Sequence, residues 1–435
     1  MKKIRITPCR PVDSSIRPPG SKSITNRALV CAALAEGTSH LSGVLDSEDT
    51  RVMLQALRDL GVVVRCDLEA ATVTIQGTQG RFPNTSADLY MANSGTSIRF
   101  LTAALCTAIG RYRLDGVPRM RQRPIADLLL ALKQLGANVQ SQNEDHPHCP
   151  PVLVDARGLA GGSTRVAGNI SSQFLSALLL AAPMALSDVT VNVEGELVSE
   201  PYVAMTVEVM RRFGAVVTTL GSGCYRIDSS HKYHASEFAI EPDASAASYF
   251  WATAAILGGR ARVEGLNQQS LQGDIRFCEV LQKMGCQIHY SADAIEVVGS
   301  GKLSGVDVDM SDISDTVQTL AAVAMFADCP TTVRGVAHNR VKETDRISDL
   351  ARELRKLGAQ VDEYDDGLTI HPPKSVSPAE IETYHDHRMA MSLSLVGLRA
   401  TGIVILDPDC TAKTYPNFWQ DLAKFSNCRI IADGG

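Results

Sequence analysis

Aromatic residues make up only 5% of this 435-residue sequence, and no apolar stretch is long enough to cross a membrane. A membrane-spanning helix needs about 20 consecutive apolar residues. The longest apolar run, FLSALLLAAPMAL, falls short of that length and is interrupted by Pro183. The first residues, MKKIRITPCRP, lack the apolar core of a signal peptide. We therefore expect a cytoplasmic protein with no membrane partner.

The sequence also lacks a basic block and any paired cysteine motif. Its 42 Lys and Arg residues are outnumbered by 48 Asp and Glu residues, which gives a formal charge of −6. A nucleic-acid-binding protein usually carries a basic patch, so we expect no nucleic-acid partner. Eleven cysteines are scattered without a CxxC pair. This spacing argues against a zinc ribbon and a disulfide scaffold, and predicts reduced thiols.

What the sequence does contain is a recurring helix end followed by a strand. The five copies are LRDLGVVV, LKQLGANV, MRRFGAVV, LQKMGCQI and LRKLGAQV. Their glycines are separated by 75, 78, 71 and 73 residues. A glycine at this place predicts a left-handed residue that ends the helix. A sixth, weaker copy, LAKFSNCRI, lacks the glycine and lies near the end of the sequence.

Each interval between these helix ends has the same order of parts. A polar segment leads into an apolar helix such as SQFLSALLLAAP, a strand follows, and a second polar segment leads into an amphipathic helix. The repeated unit is roughly βαβαββ. Six units divide as three plus three, with a join near FAIEPDASAAS. The sequence therefore predicts an α/β protein of two domains, in which the apolar helices are buried against one another.

The polar segments carry cations where helix capping does not require them. Ser, Thr, Asp and Asn at helix starts are ordinary caps. Lysine and arginine are not, because the first turn of a helix already carries partial positive charge. The cations that stand at or near such starts are Lys22, Arg27, Arg123, Arg346, Arg388 and Lys413. A set that breaks this rule at so many equivalent positions predicts sites for anionic ligands.

Seven of these segments together resemble a known family. They are GSKSITNRALVCAALAEGTS, NSGTSIRFLTAAL, RQRPI, SSQFLSALLLAAP, RVKETDR, DHRMAM and CTAKTYPNF. They are similar to the enolpyruvyl transferases, and among these to the 5-enolpyruvylshikimate-3-phosphate (EPSP) synthase family. The resemblance implies two pseudo-threefold domains, each of three βαβαββ repeats in an inside-out α/β barrel, joined by a double-crossing hinge. It implies one domain at 21–241 and another built from 1–20 and 242–435.

The resemblance also implies a reaction and its substrates. Members of the family transfer the enolpyruvyl group of phosphoenolpyruvate to the 5-hydroxyl of shikimate 3-phosphate and release phosphate, in the shikimate pathway to chorismate and aromatic amino acids. Both substrates are small anions, which agrees with the prediction from the helix starts. No cofactor and no metal ion is implied, and we expect a monomer. The first domain is implied to serve mainly shikimate 3-phosphate, and the second mainly phosphoenolpyruvate and proton transfer.

The family's functional residues match positions throughout this sequence. The implied catalytic residues are Lys22, Asp315 and Glu343. The implied contacts of shikimate 3-phosphate are Lys22, Ser23, Arg27, Ser171, Ser172, Gln173, Ser199, Tyr202, Asp315 and Lys342. The implied contacts of phosphoenolpyruvate are Lys22, Asn93, Gly95, Thr96, Arg123, Gln173, Arg346, His387, Arg388 and Lys413. The division of these residues along the chain predicts that shikimate 3-phosphate closes the domains about a hinge near Gly20 and Glu241–Pro242.

The sequence departs from the family pattern at two positions. Phe100 stands where many members have proline, and His338 stands where an asparagine is usual. The first position bears on sensitivity to glyphosate, the family's phosphoenolpyruvate-like inhibitor. The second is expected to weaken one contact to shikimate 3-phosphate.

Three alternatives remain open at this stage. The transferase that acts on UDP-N-acetylglucosamine shares the fold, but typically carries a cysteine in the loop that matches DGVPRMRQRPIADL, which has none. A non-enzymatic pseudo-symmetric scaffold such as a ring clamp would need basic helices facing a lumen, and here the cations stand at helix starts. A metal site could use His385, Asp386 and His387, although His-x-His pairs are more often structural.

Overall fold

The computed structural model describes residues 2–221 and 223–433, in which the chain forms two compact units. One unit is Gly20–Ile240, and the other combines Met1–Pro19 with Glu241–Gly435. The chain therefore passes between the units twice. Each unit contains three four-stranded sheets and three buried helices, which gives the predicted fold of two pseudo-threefold α/β domains.

The helices alternate between buried and amphipathic along the chain. They are α1 (Lys22–Leu34), α2 (Glu48–Asp59), α3 (Gly95–Leu105), α4 (Ala126–Gln134), α5 (Ser172–Ala181), α6 (Glu200–Arg212), α7 (Ala244–Leu257), α8 (Phe277–Lys283), α9 (Val317–Ala324), α10 (Ser348–Lys356), α11 (His387–Gly397) and α12 (Phe418–Ser426). The odd-numbered helices are apolar on nearly all sides and buried along most of their length. They form the interior of each unit, because a helix without a polar face has no surface to present to water.

The strands are short, from three to seven residues. The first twelve are β1 (Lys3–Ile6), β2 (Val12–Ile16), β3 (Thr38–Ser42), β4 (Val63–Asp67), β5 (Thr72–Gln76), β6 (Ser86–Tyr90), β7 (Ile109–Asp115), β8 (Val139–Ser141), β9 (Val152–Arg157), β10 (Gly162–Ala167), β11 (Val189–Glu194) and β12 (Val216–Thr219). The others are β13 (Cys224–Asp228), β14 (Glu237–Ala239), β15 (Gly259–Glu264), β16 (Gln287–Tyr290), β17 (Ala294–Gly299), β18 (Asp307–Asp309), β19 (Thr331–Arg334), β20 (Gln360–Tyr364), β21 (Gly367–His371), β22 (Ala379–Ile381), β23 (Ile403–Leu406) and β24 (Ile430–Asp433).

All six sheets follow one plan. In the sheet β6-β7-β9-β8 the first pair is parallel, with Ser86 opposite Arg111, and the other two pairs are antiparallel. With α3 between β6 and β7 and α4 between β7 and β8, the order of elements is βαβαββ, as the repeats predict. The parallel connection passes through a helix, which is the usual way to join parallel strands.

Three strands complete sheets that are distant in sequence. Strand β14 pairs in parallel with β3, so the first repeat receives its first strand from the end of the third. Strand β2 pairs with β15, and β1 lies between β23 and β24. The two N-terminal strands thus lie in sheets whose other strands come from the C-terminal half of the sequence.

The helix ends behave as the repeated glycines predict. All five glycines of the repeat have positive φ, between 83° at Gly61 and 107° at Gly285. In the sixth copy Asn427 takes this place with φ of 52°. Asparagine is the residue other than glycine that most readily tolerates this conformation, which explains why the weaker copy still ends its helix.

None of the helices in the described part of the chain combines the length and the apolar character needed to span a bilayer. The eleven cysteines are all free thiols.

Candidate functional site

Lys22 stands at the first position of α1, whose N-terminus is capped by the Ser21 hydroxyl. The lysine ammonium lies 3.4 Å from the carboxylate of Asp49 in α2, and the Asp49 side chain is only 4% exposed. An ammonium near a helix N-terminus is unfavourable. The Asp49 carboxylate compensates for this cost.

Arg27, five residues further along α1, is buried and held by four groups. Its guanidinium donates to Thr206 Oγ1 at 2.7 Å, to the Ser23 carbonyl at 2.8 Å and to the Tyr202 carbonyl at 3.1 Å, and it reaches Ser176 Oγ at 3.4 Å. It also lies over the Phe100 ring, 5.2 Å from the ring centre. Burial lowers the pKa of Arg27 to about 10, so the group is still a cation near neutral pH.

Arg123 lies beside the N-terminus of α3. Its Nη1 donates to the Asn93 carbonyl at 2.9 Å and to Asn93 Oδ1 at 3.3 Å. Gly95 makes this approach possible, because a Cβ atom at that position would lie 2.5 Å from Arg123 Nη2 and 2.9 Å from Arg99 Nη1. The absence of a side chain at Gly95 therefore leaves room for these two guanidinium groups.

Arg99 joins this region to α5. Its Nη1 donates to Gln173 Oε1 at 2.6 Å and its Nη2 to the Pro124 carbonyl at 2.8 Å. Gln173 Nε2 in turn lies 3.5 Å from Thr96 Oγ1. Arg99 therefore links Gln173 to the backbone of the residue that follows Arg123.

The serines that the sequence singled out stand at helix starts in the same unit. Ser171 caps α5, and its hydroxyl accepts a hydrogen bond from the backbone N–H of Gln173 at 3.3 Å. Ser172 follows it at the first helical position and is mostly buried. Ser199 precedes α6 with a positive φ of 57°, an unusual conformation for serine. Tyr202 lies in the first turn of α6. The residues of this unit that we call the first cluster are Lys22, Arg27, Asn93, Gly95, Thr96, Arg99, Arg123, Ser171, Ser172, Gln173, Ser199 and Tyr202.

The second cluster lies in the other unit and is centred on Arg346, which is 2% exposed. Its members are Asp315, Glu343, Arg346, Asp386, Arg388 and Lys413. The Arg346 guanidinium makes two hydrogen bonds to Asp386, at 2.6 and 3.1 Å, and lies 2.9 Å from Glu343 Oε2 and 3.3 Å from Asp315 Oδ1. Burial lowers the pKa of Arg346, but the three carboxylates outweigh burial and hold the pKa above its ordinary value. The Arg346 guanidinium is therefore a permanent cation that is almost completely buried.

Replacing Arg346 by alanine is expected to destabilise this unit by about 3–5 kcal/mol, because it leaves buried carboxylates without their cation. Arg352→Ala is the matched control, since that arginine pairs with Asp349 while its own side chain is 56% exposed; it should cost about 1 kcal/mol or less. Hydrogen exchange of α11 amides measures both changes. Equal protection in the two variants would contradict the structural role of Arg346.

Arg388 and Asp315 form the next part of the second cluster. Arg388 is the second residue of α11, and its Nη2 donates to Asp315 Oδ2 at 2.7 Å. Its Nη1 lies 3.4 Å from the Tyr249 hydroxyl. Asp315 lies just before α9. Its carboxylate accepts hydrogen bonds from Arg346 and Arg388 at the same time.

Glu343 joins Arg346 to Lys413. The Lys413 ammonium lies 3.9 Å from Glu343 Oε1, and both side chains are less than a tenth exposed. Glu343 stands shortly before α10 and Lys413 shortly before α12, as the sequence predicts. Lys342 and His338 belong to the same stretch, and burial lowers the pKa of His338 to about 3. His338 is therefore a neutral imidazole at physiological pH.

The two histidines of YHDHR lie in different environments. His385 is exposed and its Nδ1 contacts Asp407 Oδ2 at 2.7 Å, whereas His387 is buried at the start of α11. Asp386 is engaged by Arg346 and caps α11 through the Arg388 amide at 2.9 Å. Among the described residues, no group of three or more His, Cys, Asp and Glu side chains is arranged to hold a metal ion.

The sequence missed the carboxylates that neutralise these cations. Asp49 and Arg99 were not among the predicted site residues, and Asp386 was named only for the metal-site alternative. Arg99 and Asp386 lie within motifs already singled out, whereas Asp49 lies outside them. A count of charges in those motifs would have found Asp386 next to Arg388, but only the fold shows that Arg346 reaches it.

Comparison with known proteins agrees with the motifs. Residues 6–422 match the family model of EPSP synthase (3-phosphoshikimate 1-carboxyvinyltransferase). The 3-phosphoshikimate 1-carboxyvinyltransferase of Nostoc punctiforme is 49% identical over 94% of this chain and 96% of its own length. The chloroplastic one of Arabidopsis thaliana is 46% identical over 98% of this chain and 84% of its own length.

The fold leads to the same family. The solved structure of EPSP synthase from Acinetobacter baumannii superposes with a TM-score of 0.82 at 29% identity and covers 100% of both chains. The resemblance seen in the motifs therefore extends over nearly the whole length of the sequence and over its fold. The chain belongs to the EPSP synthase family.

Proposed function

We propose that this protein transfers the enolpyruvyl group of phosphoenolpyruvate to the 5-hydroxyl of shikimate 3-phosphate and releases phosphate. The observation that carries the proposal is the pair of cation clusters, each built at helix N-termini and each containing the family's residues at matching positions. Family membership over nearly the full length supports the same reaction. Transfer to UDP-N-acetylglucosamine is not favoured.

Phosphoenolpyruvate carries a carboxylate and a phosphate, and the proposed ligands match that charge. Arg123 belongs to the first cluster, while Arg346, Arg388 and Lys413 belong to the second. Arginine is suited to planar, bidentate recognition of such oxygens. Lys22, Asn93, Gly95, Thr96, Gln173 and His387 complete the proposed set. Fixed cations would also stabilise the charge on the phosphate as it leaves.

Asp315 is the proposed base for the 5-hydroxyl of shikimate 3-phosphate. Both of its oxygens accept from guanidinium groups, those of Arg346 and Arg388. These are the groups that we propose for phosphoenolpyruvate. Binding of phosphoenolpyruvate would draw their N–H groups to the substrate, and Asp315 would then be available to accept a proton.

Glu343 and Lys22 are proposed to move the proton at the methylene carbon. Addition of the 5-hydroxyl oxygen to C2 of phosphoenolpyruvate requires a proton at C3, and the later loss of phosphate returns a proton from C3. Glu343 is buried and forms an ion pair with Arg346, so its position is fixed before the substrate arrives. A positioned group can deliver a proton to C3 and later accept one of the three methyl protons.

Shikimate 3-phosphate is proposed to bind Lys22, Ser23, Arg27, Ser171, Ser172, Gln173, Ser199, Tyr202, Asp315 and Lys342. His338 stands where the family usually has asparagine. As a neutral imidazole it offers one donor and one acceptor, like the amide it replaces. We therefore propose that His338 preserves a hydrogen bond to this substrate.

Phe100 is expected to support the binding of shikimate 3-phosphate through Arg27, whose guanidinium it stacks against. Phe100→Leu keeps an apolar side chain but loses the ring face, which is worth about 1 kcal/mol. The dissociation constant for shikimate 3-phosphate should rise about fivefold with little change in turnover. Phe238→Leu removes a similar stack, on Arg212, outside the cluster and should change neither. Calorimetric titration measures the constant, and equal affinities in the two variants would contradict the role.

A phosphate-release assay tests the proposed function. Phosphate should appear only when phosphoenolpyruvate and shikimate 3-phosphate are both present. Release with UDP-N-acetylglucosamine in place of shikimate 3-phosphate would favour the alternative substrate, and no release with either acceptor would contradict the proposal.

A further inference from the structure

A cavity in the Gly20–Ile240 unit lies apart from the first cluster. Its volume is about 690 Å³, which is within the usual range of about 300–1,000 Å³ for small-molecule sites. Its lining includes Leu34 at the last position of α1, Thr107 just after α3 and Met184 just after α5. Lys22, Thr96 and Ser172 of the first cluster stand at the opposite ends of these helices. At 1.5 Å per residue, α1 alone separates Lys22 from Leu34 by about 18 Å.

The interior of the cavity is apolar, and its mouth exposes apolar side chains to water. Leu34, Phe82 and Tyr233 line it and are themselves almost fully buried. Ile109 and Leu186 also line it and are 75% and 80% exposed, the highest values for large apolar side chains in the described part of the chain. Two such exposed side chains beside one concave apolar surface indicate a place where an apolar group binds.

The charges around the cavity favour an anion. Three basic residues, Arg81, Arg157 and Lys232, and one acidic residue, Glu36, are among its lining. Lys232 donates to the Pro183 and Ala185 carbonyls at 2.7 and 2.9 Å. It thus offsets the partial negative charge at the C-terminal end of α5, which would otherwise repel an anion.

The two arginines remain available at the surface. Arg81 is exposed, and Arg157 is 79% exposed where it contacts Asp155 at 3.2 Å. An exposed ion pair of this kind is weak and is readily exchanged for a ligand. An anionic group at the mouth could therefore be bound by either guanidinium.

From these observations we propose that the cavity is a second ligand site, which binds an amphipathic organic anion. The flat apolar body, of one or two rings, lies against Leu34, Phe82 and Met184. The anionic group, a carboxylate or sulfonate, lies at the mouth near Arg81 and Arg157. The site is separate from the one that we propose for the reaction.

The fluorescent anion 8-anilino-1-naphthalenesulfonate is a suitable probe, because it joins an aromatic body to one sulfonate. We expect saturable binding of one probe per chain that persists in excess shikimate 3-phosphate and phosphoenolpyruvate. The uncharged 1-anilinonaphthalene should bind at least fivefold more weakly. Displacement of the probe by the substrates, or equal binding of the uncharged compound, would overturn the proposal.

Paired variants locate the site. Arg81→Ala and Leu186→Ala should each raise the dissociation constant of the probe at least fivefold, and Arg81→Lys should recover part of the loss. The controls Arg65→Ala and Leu220→Ala change exposed residues of the same unit that do not line the cavity, and should leave it unchanged. Wild-type affinity in both cavity variants would overturn the proposal.

Methyl spectra of labelled methionine give a readout that does not depend on the variants folding normally. The Met184 resonance, assigned by Met184→Leu, should shift on addition of the probe in proportion to the fraction bound. Met53, which is buried in α2 of the same unit and does not line the cavity, should not shift. A probe that binds without moving the Met184 resonance would contradict the assigned site.

Discussion

Replacing Glu343 by glutamine is expected to lower turnover by about a hundredfold or more while both substrates bind almost normally. The amide has nearly the shape of the carboxylate but cannot donate and recover a proton, and general acid–base catalysis contributes about this much. The fold should persist, because Arg346 keeps its two hydrogen bonds to Asp386 and its contact with Asp315.

Single-turnover kinetics measure the Glu343→Gln effect separately from binding. Glu380→Gln is the matched control, since this glutamate in the same unit is 55% exposed and pairs with Lys3. Turnover within a factor of two of the unsubstituted protein in Glu343→Gln would exclude Glu343 from proton transfer. A loss of substrate affinity equal to the loss of turnover would instead make it a binding residue.

Arg123→Ala and Lys413→Ala should each weaken phosphoenolpyruvate binding by about 2 kcal/mol or more, which is about thirtyfold. Each change leaves anionic oxygens of the substrate without a charged donor in a mostly buried place. Binding of shikimate 3-phosphate alone should change little, because neither residue is among its proposed contacts.

Calorimetric titration with each substrate tests this division of the site. Arg165→Ala, at a side chain that is 72% exposed, and Lys3→Ala, at one that is 39% exposed, remove the same charges elsewhere and should leave both affinities unchanged. If Arg123→Ala and Lys413→Ala weakened both substrates equally, the assignment of separate ligand sets would be wrong.

The repeated architecture could be predicted from the sequence because one physical requirement recurs in each copy. A left-handed residue is needed where each amphipathic helix meets its strand, so glycine marks five of the six ends and Asn427 the sixth. The cations at helix starts were equally visible, because they contradict the local preference of the backbone. Both signals are local and do not depend on tertiary contacts.

The remaining features depend on contacts between residues that are far apart in sequence. Strand β14 pairs with β3, which lies about 200 residues earlier in the chain, and no local pattern specifies that pairing. Arg346 reaches Asp386, 40 residues away. The motifs indicated the cations, whereas the carboxylates that pair with them became visible only in the fold. Gly95 is a further example, because only the fold shows that a Cβ atom at this position would lie 2.5 Å from Arg123 Nη2.

The central claim is that the enolpyruvyl group, and not the phosphoryl group, is transferred. Phosphoenolpyruvate labelled with ¹⁸O in the oxygen that bridges carbon and phosphorus distinguishes the two, with the released phosphate examined by ³¹P NMR. Enolpyruvyl transfer breaks the carbon–oxygen bond, so the phosphate should carry the ¹⁸O and should appear only when shikimate 3-phosphate is present. Unlabelled phosphate, or release of phosphate without shikimate 3-phosphate, would contradict the account.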